Sequence, residues 1–160
     1  MPPIAWESNH SVETDANPEF AWSYWTNIAN WDDPPAQFEL LGSFAAGTCG
    51  LTRLPGQEPL RWFIRAVTPL QAATIEMSLD GAALSFEWRF DELPGGRTRL
   101  TQRISLQGEK ADLYLAQVEA AFTANPPVAM RKIAMAMAMA MANASAGDAN
   151  TSSSNDSASG

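Results

Sequence analysis

Residues 17–35 contain half of the tryptophans and read Asn17-Pro-Glu-Phe-Ala-Trp-Ser-Tyr-Trp-Thr-Asn-Ile-Ala-Asn-Trp-Asp-Asp-Pro-Pro35. Asn17 can cap a helix that begins at the proline after it, where the missing N–H removes no hydrogen bond. Trp22, Trp25 and Ile28 recur every three residues, so they share roughly one face of that helix. A second short turn is predicted to end at Trp31. Three of the six tryptophans therefore lie close together, which indicates the wall of an apolar chamber.

Alternating apolar and polar residues predict strands on both sides of this stretch. A first strand is expected at residues 6–14, with Trp6, His10 and Val12 on one face. Further strands are expected at residues 38–41, 47–54, 61–67, 73–79, 84–91 and 99–106. The clean alternation of the last two is typical of antiparallel strands with one face in water. Residues 61–67 are apolar on both faces, so their register stays open, because a slip of one residue exchanges the faces.

Beyond Gly108 the apolar residues follow a helical period. Helices are predicted from about residue 109 to 123 and from about 127 to 143. Residues 134–142 alternate Ala and Met, and the high helix propensity of both favours a helix with Met on two faces. The segment 143–160 has no large apolar residue and is expected to be a disordered tail rich in Ser, Asn and Ala. The folded domain is therefore predicted at residues 1–142.

The charge balance and the scarcity of metal-binding residues argue against several classes of function. The 160 residues carry a formal net charge of −8, which disfavours nucleic acid and anionic membrane surfaces. Cys49 is the only cysteine and His10 the only histidine, so a cysteine-based zinc cluster or a two-histidine metal site cannot form. We therefore expect no metal, no cofactor, no nucleic acid and no membrane insertion. No signal peptide is read at the N-terminus, so a cytoplasmic location is expected.

A series of short motifs follows the predicted elements along the chain. They are Asn17-Pro18-Glu19-Phe20-Ala21-Trp22, Trp25-Thr26-Asn27-Ile28-Ala29-Asn30-Trp31, Gly42-x-Phe44-x-x-Gly47-Thr48-x-Gly50, Asp80-Gly81-Ala82-x-Leu84-x-Phe86, Thr98-Arg99-Leu100-Thr101 and Gly108. Taken in order, they resemble the SRPBCC superfamily (START / Bet v 1-like proteins and their polyketide cyclase/dehydratase relatives). The similarity covers about residues 6–142, and Asn17 and Asn27 depart from the alanine and aspartate usual in that family.

The resemblance implies an α+β helix-grip fold. In this fold a curved antiparallel sheet of about seven strands wraps around a long C-terminal helix, with two short helices after the first strand. The resemblance also implies an internal apolar cavity that binds lipids, polyketides or other hydrophobic small molecules, in enzymes and in pure carriers alike. The ligand-binding side chains expected here are Trp22, Trp25, Met77, Phe86, Trp88, Phe90, Met130 and Met137. Packing in a solid core would use the same residue types.

Three polar side chains are candidates for a role inside such a cavity. His10 could act as a general base or hold a ligand hydroxyl, and the alternative is a hydrogen-bonded core histidine. Gln102 is polar on the apolar face of its strand, so it either meets a partner or points into a pocket. Tyr114 could donate to a ligand carbonyl, although a tyrosine at a helix edge more often only packs. Cys49 is expected to be a small buried hydrophobe.

Three functions are compatible with these residues. The first is binding of a hydrophobic, ring-containing small molecule. The second is an aromatase/cyclase or dehydratase reaction on a poly-β-keto chain, with His10, Gln102 and Tyr114 positioning or transferring protons. The third is a protein-interaction module that uses the Met-rich helix, and this function requires an exposed Met face. The sequence favours burial of that helix against the sheet.

Overall fold

The computed structural model describes residues 4–31, 35–122 and 125–159. Its seven strands are β1 (Ile4–Thr14), β2 (Gln37–Leu40), β3 (Cys49–Arg53), β4 (Leu60–Thr68), β5 (Ala72–Leu79), β6 (Ala82–Glu92) and β7 (Thr98–Gln107). They form one antiparallel sheet in the order β1-β7-β6-β5-β4-β3-β2. Its helices are α1 (Pro18–Thr26), a 3₁₀ turn (Ile28–Asn30), a second 3₁₀ turn (Ala111–Leu113), α2 (Leu115–Phe122) and α3 (Asn125–Ser159). The predicted α+β helix-grip architecture is confirmed.

The tryptophan-rich stretch forms the predicted helix and short turn, but α1 ends at Thr26, so Ile28 belongs to the turn and not to the helix that carries Trp22 and Trp25. The Asn17 side chain accepts a hydrogen bond from the Phe20 N–H at 2.8 Å, which caps α1 with a proline in its first turn. Asn27 caps the following 3₁₀ turn by accepting from the Ala29 N–H at 3.2 Å. The indole N–H of Trp31 donates to the carbonyl of Trp25 at 2.7 Å, so the two turns are tied together.

A break in β4 explains why both of its faces read as apolar. Trp62 and Ile64 are buried against the core, with 5% and 0% of their surface exposed. The pairing of β4 with β5 is irregular between Ile64 and Ala66, and beyond that point Val67 packs against the same core. A bulge inserts one residue and so changes which alternate side chains face inward. Strand β4 therefore pairs with β5 in two registers, one on each side of the bulge, which is why no single register could be assigned from the sequence.

The convex face of the sheet carries cross-strand ion pairs. Glu87 lies opposite Arg103 on β7, but the guanidinium of Arg103 donates to Glu7 on β1 at 2.8 Å. This hydrogen bond is the main reason why the pKa of Glu7 lies below its ordinary value, and Asn9 adds to the effect. The same contact raises the pKa of Arg103. Both side chains are in solvent, so the pair fixes strand register more than it contributes to stability.

Two groups of buried side chains form the core of the concave face. The larger group lies between α1, α3 and the sheet and includes Trp25, Trp88, Phe90, Met130 and Met137. The smaller group lies beneath α2 and consists of Leu84, Ile104, Leu106, Ala111 and Val118. Met77 and Phe86 are only half-buried and pack against both groups. The two cores therefore meet at these side chains, in the middle of the concave face.

Helix α3 lies along β1 and is held there by a buried hydrogen bond. The hydroxyl of Thr14 donates to the carbonyl of Ala134 at 2.7 Å. Met130, Ile133, Met137 and Met141 face inward, as predicted, since each packs in the larger core. In the structure residues 143–159 continue α3, where the sequence predicts disorder. Most residues of this segment are weak helix formers, so intrinsic propensity does not account for the continuation, and the domain boundary after Ala142 stays a prediction.

The helical region after β7 differs from its prediction. A single helix was expected from about residue 109 to 123, but a 3₁₀ turn ends at Leu113 and α2 begins only at Leu115. Leu115, Val118 and Phe122 nevertheless pack in the smaller core, as the helical spacing predicts. Residue 123 lies outside the described residues. No helix in the described ranges combines the length and the apolar character needed to cross a membrane.

Candidate ligand-binding site

Three polar side chains lie together on the concave face, on the two strands β1 and β7. His10 and Gln102 lie directly opposite each other in the β1–β7 register. Ser8 shares the inward face of β1 with His10, and its Oγ lies 2.8 Å from the His10 Nε2. Either the hydroxyl donates to an unprotonated Nε2 or an Nε2–H donates to the hydroxyl. We call Ser8, His10 and Gln102 the polar trio.

The side-chain amide of Gln102 is open to solvent. It makes no hydrogen bond within the described part of the chain, and Gln102 is half-buried. No buried side-chain polar atom of the described residues lacks a hydrogen-bond partner. The amide must therefore be in contact with solvent, because a buried and unpaired amide would cost one to several kcal/mol. Solvent therefore reaches this amide on the concave side of β7.

Apolar side chains surround the polar trio on the neighbouring strands. Trp88 on β6 lies opposite Gln102, and Phe86 follows on the same face, opposite Ile104. Phe86 contacts Phe122 of α2 with ring centroids 5.4 Å apart in an edge-to-face arrangement. The half-buried Phe86 leaves accessible apolar surface near the amide, and the half-buried Met77 extends this surface onto β5. This is the usual make-up of a small-molecule site, mostly apolar with a few polar groups.

The predicted ligand-binding side chains fall into two sets. Five are packed in the core with at most 6% of their surface exposed, namely Trp25, Trp88, Phe90, Met130 and Met137. Trp22, Met77 and Phe86 are half-buried. Of these three, Phe86 lies nearest the polar trio, on the strand next to β7 and opposite Ile104. Met77 lies one strand further away on β5, opposite Leu84. Trp22 lies at the α1 end, in edge contact with Phe44 and Phe90. The sequence could not divide this set, because packing and lining use the same residue types.

Tyr114 does not join the other two polar candidates. Its hydroxyl donates to the carbonyl of Asp80 at 2.9 Å, at the turn between β5 and β6. Its ring packs against the smaller core beneath α2. The structure therefore brings His10 and Gln102 together and places Tyr114 at a surface turn. Ser8, in contrast, was missed, although its position two residues before His10 puts it on the same face of a strand.

A surface hollow of about 720 Å³ lies at the other end of the sheet. The start of α1, the β4–β5 turn and the end of β6 form its walls, and Leu70 and Arg89 line it. Leu70 has a φ of 67° in this turn, where the Gln71 N–H donates to the Thr68 carbonyl at 3.0 Å. Glycine is usual at that position of such a turn. The hollow could not be predicted from the sequence, because its walls come from three separate segments.

Two further predictions concern exposed side chains. Met135 and Met139 on the outer side of α3 are 66% and 62% exposed, so the expected burial of the Met-rich helix is wrong for these two. They lie four residues apart on the face opposite Met137. Cys49 is exposed, not buried, because it alternates along β3 with the buried Gly50.

The described residues contain no group of three or more His, Cys, Asp or Glu that could hold a metal ion.

Comparisons with known proteins show the fold. Neither the family profiles nor the curated proteins match this sequence. A norcoclaurine synthase point mutant from Thalictrum flavum, solved with a transition-state analogue, superposes with a TM-score of 0.66 at 15% identity. The superposition covers 86% of this chain and 97% of that one. The ZhuI aromatase/cyclase from Streptomyces sp. R1128 gives a TM-score of 0.60 at 17% identity, over 84% of this chain and 93% of that one.

A third solved structure has the same architecture. The Aha1 dimer from Colwellia psychrerythraea gives a TM-score of 0.58 at 16% identity, over 82% of this chain and 96% of that one. These likenesses show the helix-grip fold that the resemblance implies. A synthase and an aromatase/cyclase share this architecture, so the fold does not choose among functions.

Proposed function

We propose that this helix-grip protein binds a hydrophobic, ring-containing small molecule on its concave face, beside the polar trio. Phe86 and Met77 supply the apolar contact surface, and both are half-buried between the two cores. Flat aromatic rings suit a planar ligand, and a methionine adapts to varied shapes. His10 and Gln102 would hold the polar group of the ligand.

The accessible amide of Gln102 is the observation that carries this proposal. A glutamine on the apolar face of a strand with no protein partner in the described ranges is unusual, because polar groups in such positions are normally paired. The amide offers one acceptor and two donor positions, so a carbonyl or a hydroxyl on the ligand would satisfy it. The likeness to norcoclaurine synthase, solved with dopamine and hydroxybenzaldehyde, supports a ring-containing ligand.

A cyclase or dehydratase activity is the second candidate. Its support is the 2.8 Å contact between Ser8 and His10, which fixes an imidazole beside the proposed ligand site. A held imidazole can accept a proton from a carbon next to a carbonyl. The likeness to an aromatase/cyclase fits this activity. Of the three residues first considered, Tyr114 has the least support, because its hydroxyl is engaged at the β5–β6 turn.

A protein-interaction role is the third candidate. The exposed side chains of Val128, Met135 and Met139 on α3 support it, since each has at least 60% of its surface exposed. Accessible methionines suit surfaces that accept varied partners. This role and ligand binding use opposite sides of the helix, so the two can be measured separately.

The binding proposal is tested by titrating the intrinsic tryptophan fluorescence with naphthalene and with 2-naphthol. We expect saturable binding of both. Gln102→Leu should lower the affinity for 2-naphthol roughly fivefold, since one neutral hydrogen bond contributes about 1 kcal/mol. The affinity for naphthalene should stay the same or increase. Gln57→Leu is the control, because Gln57 is exposed outside the strands. Absence of saturable binding, or equal loss for both compounds in Gln102→Leu, would contradict the proposal.

A further inference from the structure

We propose that the polar trio is also an acyl-transfer site, with Ser8 as nucleophile, His10 as general base and Gln102 as oxyanion donor. The substrates would be esters or thioesters of apolar acids. The inference rests on the proposed function, because the acyl group must enter the concave face to reach these residues. It goes beyond that function, since a binding protein needs no nucleophile.

The Ser8–His10 pair has the geometry that nucleophile activation requires. Oγ and Nε2 are 2.8 Å apart, within the range over which a base takes a proton from a hydroxyl. Both side chains are half-buried on the inward face of β1. Within the described residues neither has another side-chain hydrogen bond. Ser8 is therefore held by the imidazole and not by a structural partner.

Gln102 is placed to stabilise the negative charge that forms on the carbonyl oxygen. It lies opposite His10, while Ser8 lies opposite Ile104, two residues further along β7. Such diagonal neighbours are about 7–8 Å apart at the backbone, within reach of a long side chain. Its amide N–H groups have no acceptor among the described side chains, so they are free to donate to an oxyanion.

The reaction would proceed in two balanced steps. In the first, the Ser8 Oγ attacks the ester carbonyl carbon while its proton passes to His10 Nε2. The tetrahedral intermediate collapses, the bond from carbon to the leaving oxygen or sulfur breaks, and His10 gives its proton to that atom. In the second, water attacks the acyl-serine, its proton passes to His10, and Ser8 leaves with that proton. The products are the free acid and the alcohol or thiol.

We expect this activity to be slow. No carboxylate among the described residues is hydrogen-bonded to the His10 ring, whose one side-chain hydrogen bond is to Ser8. Loss of the orienting carboxylate costs about 10⁴-fold in well-studied serine hydrolases. Trapping of the acylated serine is therefore a better measurement than turnover.

The test is labelling with an alkyl fluorophosphonate, followed by intact mass and peptide mapping. We expect one label per chain, on Ser8, and no label in Ser8→Ala. Labelling in His10→Gln should be at least tenfold slower. Ser11→Ala is the matched control and should label like the parent protein, because Ser11 lies on the outward face of the same strand and bonds to Thr101 at 3.0 Å.

The proposal is overturned if the parent protein carries no label on Ser8, or if His10→Gln labels at the parental rate. Mapping of the parent protein gives this answer even if a variant fails to fold. Naphthalene binding is measured on the same samples. Naphthalene binding without labelling of Ser8 would contradict only the acyl-transfer proposal. Absence of both binding and labelling would contradict the proposed function as well.

Discussion

Replacing Trp25 with alanine is expected to lower the free energy of unfolding by about 3–5 kcal/mol, the usual cost of removing a buried aromatic side chain. Trp25 is 3% exposed and lies at the centre of the larger core. Its ring centroid is within 6.0 Å of the rings of Trp22, Trp31, Phe44, Trp88 and Phe90. Truncation would leave a cavity that these large rings cannot fill. Urea unfolding followed by far-UV circular dichroism gives the value.

Trp22→Ala is the matched control for this prediction. Trp22 is the neighbouring tryptophan on α1, with its ring centroid 6.0 Å from that of Trp25, but it is half-buried. We expect a loss less than half that of Trp25→Ala, because less apolar surface returns to water. Equal losses in the two variants would show that Trp25 is not the centre of the core.

Gly50→Ala is expected to destabilise the protein by about 2–3 kcal/mol through steric overlap. A Cβ at this position would overlap the six-membered ring of Trp62, which is 5% exposed. Trp62 is also stacked on Trp31 with ring centroids 5.7 Å apart. The indole would have to leave this stack, so the near-UV circular dichroism should change together with the unfolding midpoint.

Two variants separate steric overlap from other effects of replacing a glycine. Gly56→Ala introduces a Cβ with no atom within 4 Å at a φ of 75°, so it should cost only about 1 kcal/mol of backbone strain. Trp62→Phe in the Gly50→Ala background should cost less than the two single changes added together, because it removes the overlapping atoms. Parental stability of Gly50→Ala would refute the packing described for Trp62.

Much of the fold could be predicted because local chemistry and the final structure agree. The Asn17 cap, the alternation along β6 and β7 and the inward face of α3 follow from spacing alone. The two strands pair antiparallel, as their clean alternation predicts. The bulge in β4 could not be predicted, because it depends on the core that Val67 joins from beyond it.

The candidate site was only partly predictable. His10 and Gln102 were found because each is polar among apolar neighbours, and the register places them opposite each other. Ser8 was missed because a serine on a strand carries no signal until its contact with His10 is known. Met77 and Met130 look alike in sequence, yet one is half-buried and the other is 1% exposed. This difference in exposure depends on where the two cores meet, which cannot be predicted from a local sequence pattern.

Binding of apolar ring compounds between the two cores on the concave face can be measured by methionine ε-methyl NMR with naphthalene. Single Met→Leu variants assign the signals. We expect the Met77 signal to shift to saturation, because Met77 packs against both cores, while the signals of the exposed Met135 and Met139 do not move. Shifts confined to Met135 and Met139, or no shift at saturating naphthalene, would contradict binding at this site.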